Sequence, residues 1–108
     1  MNTTMTNKAI LREVVIETLQ TIFDPEIPVD IYQLGLIYEI NISDDNKVNI
    51  LMTLTAPNCP VAETLPVEVR EAILQIDGVR DATVDITFEP PWDQELISDE
   101  AKLELGLL

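Results

Sequence analysis

The sequence predicts a two-layer α+β domain in which two main helices cover one face of a three-stranded mixed sheet. Two segments, residues 8–23 and 65–76, carry apolar residues at helical spacing. Three others, residues 36–42, 48–54 and 79–88, alternate apolar and polar residues as half-buried strands do. A helix separates the second strand from the third, so these two strands are expected to run parallel. The predicted order is α-β-β-α-β, followed by a short C-terminal helix.

The first predicted helix lies between a polar lead and a proline-containing connector. Residues 1–7 lack an apolar block and are expected to be disordered, which leaves residues 8–108 as a single domain. The helix is expected to end near Phe23, because Pro25 disfavours a helical conformation at Asp24. The connector that follows holds two prolines and three carboxylates in seven residues. The residues alone favour a rigid turn there.

A hairpin is predicted between the first two strands. Residues 43–47 are turn formers, and Asn46 tolerates a left-handed conformation. The second strand is expected to present four apolar residues to the helices: Val48, Ile50, Met52 and Leu54. Thr53 and Thr55 are expected on the opposite face together with Leu51.

Two interpretations are open for the start of the second main helix. Pro60 suits a first helical position, whereas Pro66 inside a helix would cost about 3 kcal/mol or more. Either the first turn is irregular as far as Pro66, or the regular helix starts near Thr64.

The C-terminal part of the chain holds the last strand and a short helix. The last strand is expected to direct four residues inward: Ala82, Val84, Ile86 and Phe88. Pro90 and Pro91 end it, because proline has no N–H for a ladder hydrogen bond. Ser98 is expected to cap a helix over residues 99–105, which is too short to be stable unless it docks on the domain.

Composition excludes several classes of function. Six Lys and Arg against twenty Asp and Glu give a net charge of −14, which argues against nucleic acid and anionic membranes as partners. The absence of histidine excludes Cys-His and Ser-His pairs and histidine-based metal sites. One cysteine cannot form an internal disulfide, so a cytoplasmic location is expected.

Cys59, the only cysteine, is the candidate functional residue and lies between the second strand and the second main helix. A helix N-terminus would favour its thiolate, whereas the negative charge of the chain, with Glu63 nearby, disfavours it. The net direction of the effect on the thiol pKa stays open.

Three interpretations of Cys59 follow from the residues. It is a small buried apolar residue, a nucleophile that relies on a carboxylate or another chain as base, or a ligand of iron. One thiolate is fewer than the four that usually hold an iron–sulfur cluster, so one chain cannot form a closed site. A homodimer with two Cys59 thiolates, or a partner protein, would complete the ligand set.

Four blocks of sequence, residues 24–38, 52–60, 90–92 and 100–106, resemble the SufT-like branch of the metal–sulfur cluster biosynthesis family. They occur in the family's order, and the resemblance as a whole extends from about Leu11 to Gly106. Asn58 stands where many relatives have glycine, next to an unchanged Cys59.

The resemblance implies a cytoplasmic, non-enzymatic maturation factor for iron–sulfur proteins that makes transient iron or cluster contact and binds no cofactor stably within one chain. It implies Cys59 as the metal ligand, with Asp24, Glu26, Thr53 and Thr55 bordering the site. The implied partners are the iron–sulfur assembly machinery and client apoproteins, with a homodimer as one arrangement. Two alternatives are a metal-free adaptor and a PaaD-like oxygenase maturation factor, although this chain lacks the C-terminal cysteines that PaaD-like proteins often carry.

Overall fold

The structure, a computed structural model, describes residues 7–24, 27–55 and 64–107. In chain order the elements are α1 (Asn7–Leu19), β1 (Ile37–Ile42), β2 (Lys47–Met52), α2 (Leu65–Leu74), β3 (Asp81–Ile86), a 3₁₀ helix (Gln94–Leu96) and α3 (Asp99–Glu104). The sheet has the order β1-β2-β3, with β1 antiparallel and β3 parallel to β2. The predicted α+β class and mixed sheet are confirmed.

The hydrophobic core lies between one face of the sheet and the two main helices. In β2, Val48, Ile50 and Met52 are buried, while Asn49 and Leu51 between them are half-buried. This is the predicted period of two, and each fully buried aliphatic side chain contributes about 1.5–3 kcal/mol. α1 contacts β1 and α2 packs on β3, so the two helices share the core. No helix among the described residues has the length and apolar character needed to cross a membrane.

The hairpin turn between β1 and β2 follows the prediction from its residues. Asn46 adopts a left-handed conformation with φ of 65°. Ser43 closes the turn, since its Oγ accepts a hydrogen bond from the Lys47 N–H at 3.0 Å and donates one to Asp45 Oδ1 at 2.5 Å. The bond from Ser43 lowers the pKa of the exposed Asp45 carboxyl.

α1 ends at Leu19, earlier than the predicted end near Phe23. The chain leaves the helix through a tightened turn, in which the Thr21 N–H donates to Thr18 O at 3.0 Å. Phe23 then forms an isolated β-bridge with Asp30, which requires extended backbone. The side chain of Phe23 is consequently 56% exposed, whereas the helical pattern placed it on the buried stripe.

α2 begins at Leu65, with Thr64 as the flanking residue and Pro66 in the first turn. Proline is tolerated at this position because the first N–H groups of a helix have no intrahelical acceptor. The second interpretation of the sequence, a regular helix that starts near Thr64, is therefore confirmed.

β3 is shorter than the alternating pattern predicted. Its last ladder bond runs from the Thr87 N–H to Met52 O at 2.9 Å, and β2 ends at Met52. Phe88 pairs with no strand among the described residues and is 40% exposed, so the prediction that it points inward is wrong.

Arginine side chains occupy backbone acceptors on both edge strands of the sheet. Arg12 on α1 donates to Ile40 O at 2.7 Å, and Arg70 on α2 donates to Ala82 O at 2.9 Å. An unpaired edge carbonyl is a point where a foreign strand can add. The two guanidinium groups therefore protect the edges and tie each helix to its strand.

The C-terminal segment is bound to the turn that precedes β1. The Trp92 indole donates to Leu34 O at 2.7 Å, and the Ser98 N–H donates to Gln33 O at 2.8 Å. Ser98 also caps α3 as predicted, because its Oγ accepts from the Ala101 N–H at 3.1 Å. These contacts dock a helix that would be too short to form alone.

Gly35 permits this close approach. It has φ of +79°, and a Cβ added there would lie 2.8 Å from the carbonyl carbon of Leu96. Gly78 also has positive φ, at +95°, but a Cβ there would meet nothing within 4 Å. A comparison of substitutions at the two glycines therefore separates the cost of the left-handed backbone from the cost of steric overlap.

We expect Gly35→Ala to destabilise the protein more than Gly78→Ala. Each substitution costs about 1–2 kcal/mol for the left-handed backbone, and overpacking at Gly35 adds about 1–3 kcal/mol. Urea unfolding of the two variants and the wild type measures the difference. Equal unfolding free energies for the two variants would show that the contact with Leu96 is not tight.

Candidate functional site

The described residues include three of the five predicted site residues. Cys59 and Glu26 lie outside the described ranges, so their roles stay predictions. Asp24, Thr53 and Thr55 are described. α2 begins six residues after Cys59, and the helix dipole acts mainly within its first turn. The start of α2 at Leu65 therefore weakens the prediction that a helix N-terminus stabilises the Cys59 thiolate.

Thr53 is completely buried directly after the end of β2, at 0% exposure. Its N–H donates to Leu36 O at 2.8 Å, which fixes the backbone beside the start of β1. Its Oγ1 has no hydrogen-bond partner in the part of the chain that the structure describes. The strand pattern predicted neither its complete burial nor the absence of a hydroxyl partner among the described residues.

An unpaired buried hydroxyl is costly. Leaving such a group without a partner costs about 1–3 kcal/mol, and most buried polar groups in proteins are bonded. Thr53 can both donate and accept a hydrogen bond through Oγ1. It is therefore a buried side chain whose hydrogen-bonding capacity no described residue uses.

Asp24 shapes the connector after α1. It is 5% exposed, and its Oδ1 accepts a hydrogen bond from the Ile27 N–H at 3.1 Å. Its own N–H donates to Val29 O at 3.4 Å. These bonds support the turn that the sequence predicted for this segment. Thr55, by contrast, is half-buried.

A chain of backbone hydrogen bonds joins the connector to the end of β2. The Ile31 N–H donates to Ile22 O at 2.9 Å, and the Leu36 N–H donates to Ile31 O at 3.2 Å. Leu36 O then accepts from Thr53. These bonds link the connector that follows α1 to the end of β2 through the turn at residues 31–35.

Carboxylates of the described ranges do not form a metal site. No group of three or more His, Cys, Asp or Glu residues among them is arranged to hold a metal ion. The described part of the site therefore offers a hydroxyl group and a fixed backbone.

Sequence reasoning missed a second feature, a groove beside the connector that involves Phe23, Asp30, Glu100 and Glu104. The signal available in the sequence was weak, because these residues are far apart along the chain. The helical pattern placed Phe23 in the core, so its exposure, which would have indicated the groove, was not predicted.

Comparison with known proteins identifies the family. The family model described as iron–sulfur cluster assembly protein matches residues 12–86. A relative from Porphyromonas gingivalis, named Fe-S protein maturation auxiliary factor, is 47% identical over 89% of this chain and 91% of its own. The Fe-S protein maturation auxiliary factor SufT of Staphylococcus aureus is 35% identical over 80% of this chain and 98% of its own.

The fold agrees with this match. The crystal structure of a domain of unknown function, DUF59, from Bacillus anthracis superposes with a TM-score of 0.84 at 31% identity, over 92% of this chain and 94% of that one. The predicted resemblance to SufT-like proteins is confirmed. This chain therefore belongs to the iron–sulfur cluster assembly protein family and is similar to its SufT-like members.

Proposed function

We propose that this protein is a non-enzymatic maturation factor for iron–sulfur proteins, in which the Cys59 thiolate makes transient contact with iron or a cluster. Relatives named as maturation auxiliary factors, which align over most of the chain, support the pathway. The observation that supports the site is the buried hydroxyl of Thr53, six residues before Cys59, which has no hydrogen-bond partner among the described residues. A hydrogen-bonding cargo held near the end of β2 would use this group.

The cargo receives only part of its ligands from this chain. A cluster usually has four protein ligands, and this chain has one cysteine. A second chain in a homodimer, or an assembly or client protein, supplies the rest. Incomplete coordination suits a cargo that is passed on, because the next protein can replace the outside ligands without unfolding this one.

The residues around Cys59 act by position and hydrogen bonding. Thr53 Oγ1 donates to a sulfur of the cargo or to the thiolate, an interaction that tunes metal–sulfur sites. Asp24 holds the connector in shape, and Glu26 and Thr55 border the site. We place this activity in the cytoplasm, where a single thiol stays reduced.

The Cys59→Ser variant is expected to lose cluster loading, because a serine hydroxyl does not replace a thiolate as an iron ligand. Anaerobic reconstitution with iron and sulfide, followed by absorption and Mössbauer spectra, measures loading. Urea unfolding of the same variant serves as the control for folding. Equal loading of the variant and the wild type would remove Cys59 as a ligand.

A cellular test separates this function from that of a metal-free adaptor. In a strain that lacks the protein, the Cys59→Ser variant is expected not to restore the activity of several iron–sulfur enzymes. Those activities are measured in extracts at equal levels of the protein. Full restoration would favour the adaptor function over cluster contact.

The Thr53→Val variant is expected to be more stable than the wild type and to retain the cluster less well. Valine has a similar shape and removes an unpaired hydroxyl, so the unfolding free energy is expected to rise by about 1 kcal/mol. Urea unfolding measures stability, and the rate of cluster loss to a chelator measures retention. Thr53→Ser keeps a hydroxyl and is expected to retain the cluster like the wild type.

Thr87→Val is the matched control for this experiment. The Thr87 hydroxyl already has a partner, since it accepts from the Glu89 N–H at 3.2 Å. Valine at this position is expected to lower stability by about 0.5–1.5 kcal/mol and to leave cluster retention unchanged. Unchanged retention in Thr53→Val would show that the Thr53 hydroxyl binds no cargo.

A further inference from the structure

A groove of about 210 Å³ lies between the connector after α1 and helix α3. Its wall includes one aromatic ring, two other residues of the connector region and three carboxylates: Phe23, Pro28, Gln33, Asp30, Glu100 and Glu104. Pockets for drug-sized ligands are about 300–1,000 Å³. The groove is therefore too small for a nucleotide-sized ligand and fits a single side chain.

Phe23 supplies an apolar wall that the fold does not cover. Phe23 is 56% exposed, so much of the apolar area of the ring stays in contact with solvent. The bridge between Phe23 and Asp30 fixes the backbone on both sides of the connector. The ring is thus held at the surface beside a carboxylate and is accessible to a partner.

The charge of the groove is unbalanced. None of the residues that line it is cationic, and the salt bridges among the described residues involve other carboxylates. Lys102, the cation of α3, is turned away: its side chain is only 15% exposed and lies 3.6 Å from Glu95. The negative charge of Asp30, Glu100 and Glu104 is therefore open to a cation from outside.

The shape of the acidic groove favours an extended cation over a metal ion. Asp30, Glu100 and Glu104 all belong to the described residues, and no three acidic residues there are arranged to hold one metal ion. Carboxylates spread around a groove instead suit a group with several donors in a plane, and an aromatic wall favours a cation that stacks. The guanidinium of arginine has both properties, whereas the ammonium of lysine is a point charge.

The walls of the groove are fixed before any partner binds. Asp30 Oδ2 accepts from the Gln33 N–H at 2.9 Å, and α3 is anchored by the Ser98 cap and the buried Ala101. Backbone that is already held in this way loses little conformational entropy on binding. This supports recognition of a specific group by a weak but selective contact.

We propose that this groove binds an arginine side chain of a partner polypeptide, which stacks on Phe23 and pairs with the carboxylates of α3 and Asp30. The proposal rests on the proposed function, because a maturation factor must dock on assembly or client proteins. It assigns that docking to a surface on α3 and the connector.

An NMR titration tests the groove directly. The ¹⁵N-labelled protein is titrated with the peptide acetyl-Gly-Arg-Gly-amide, and we expect amide shifts to concentrate at Phe23, Asp30, Glu100 and Glu104. The glutamine peptide acetyl-Gly-Gln-Gly-amide is expected to cause none, and the lysine peptide is expected to bind more weakly. Shifts spread over carboxylates of the whole surface, or equal affinity for the lysine peptide, would overturn the proposal.

Matched variants locate the binding energy. The double variant Glu100→Gln, Glu104→Gln is expected to bind the arginine peptide with roughly tenfold lower affinity. This corresponds to the loss of about 1.4 kcal/mol of charge-assisted hydrogen bonding. Glu68→Gln combined with Glu71→Gln removes the same charge from the exposed face of α2 and is expected to have little effect. Equal weakening by both pairs would show that the peptide responds only to net charge.

A comparison of cluster loading in vitro with iron–sulfur enzyme activity in cells separates the role of the groove from the role of Cys59. The double variant of Glu100 and Glu104 is expected to load a cluster normally in vitro and to support less iron–sulfur enzyme activity in cells. Normal cellular activity of this variant would overturn the groove proposal while Cys59 remains the ligand. Failure of the wild type to load a cluster would instead overturn the proposed function, and the peptide titration would still stand as a test of the groove.

Discussion

The turn at residues 31–35 is the point on which the other parts of the fold depend. It receives hydrogen bonds from Trp92 and Ser98 on one side, and the residue that follows it accepts the N–H of Thr53 on the other. Gly35 makes this arrangement sterically feasible, since any larger side chain would overlap the backbone of Leu96. The C-terminal segment, the connector and the end of β2 are therefore held in one arrangement through a few backbone groups.

The end of β2 combines a well-packed scaffold with one buried hydroxyl that lowers the stability of the fold. Thr53 is anchored through its backbone and surrounded by protein, yet its hydroxyl has no partner among the described residues. Proteins that satisfy nearly all of their buried polar groups tend to break the rule where a ligand binds. The apolar core formed by the sheet and the two main helices compensates for such a cost.

Several of the cations perform structural tasks. Arg12 and Arg70 bond to edge-strand carbonyls, and Lys8 and Lys102 pair with carboxylates at 2.5 and 3.6 Å. The chain holds twenty acidic residues against six basic ones, a net charge of −14. A surface of this kind attracts basic partners over a distance and repels anionic ones. The groove beside Phe23 adds a shaped contact to that general attraction.

The sequence by itself determined the fold class, the element order, the mixed sheet, the cap at Ser98 and the family, because periodicity, turn residues and motifs are local properties of the chain. The family resemblance also predicted Cys59 and Thr53 as site residues, a prediction that the described residues do not test. Only the tertiary structure decided that α1 ends early, that Phe23 is exposed and that the Thr53 hydroxyl is buried without a partner among the described residues. Each of these depends on contacts with the connector or with β1, and the pairing of segments distant in sequence leaves no periodic signal.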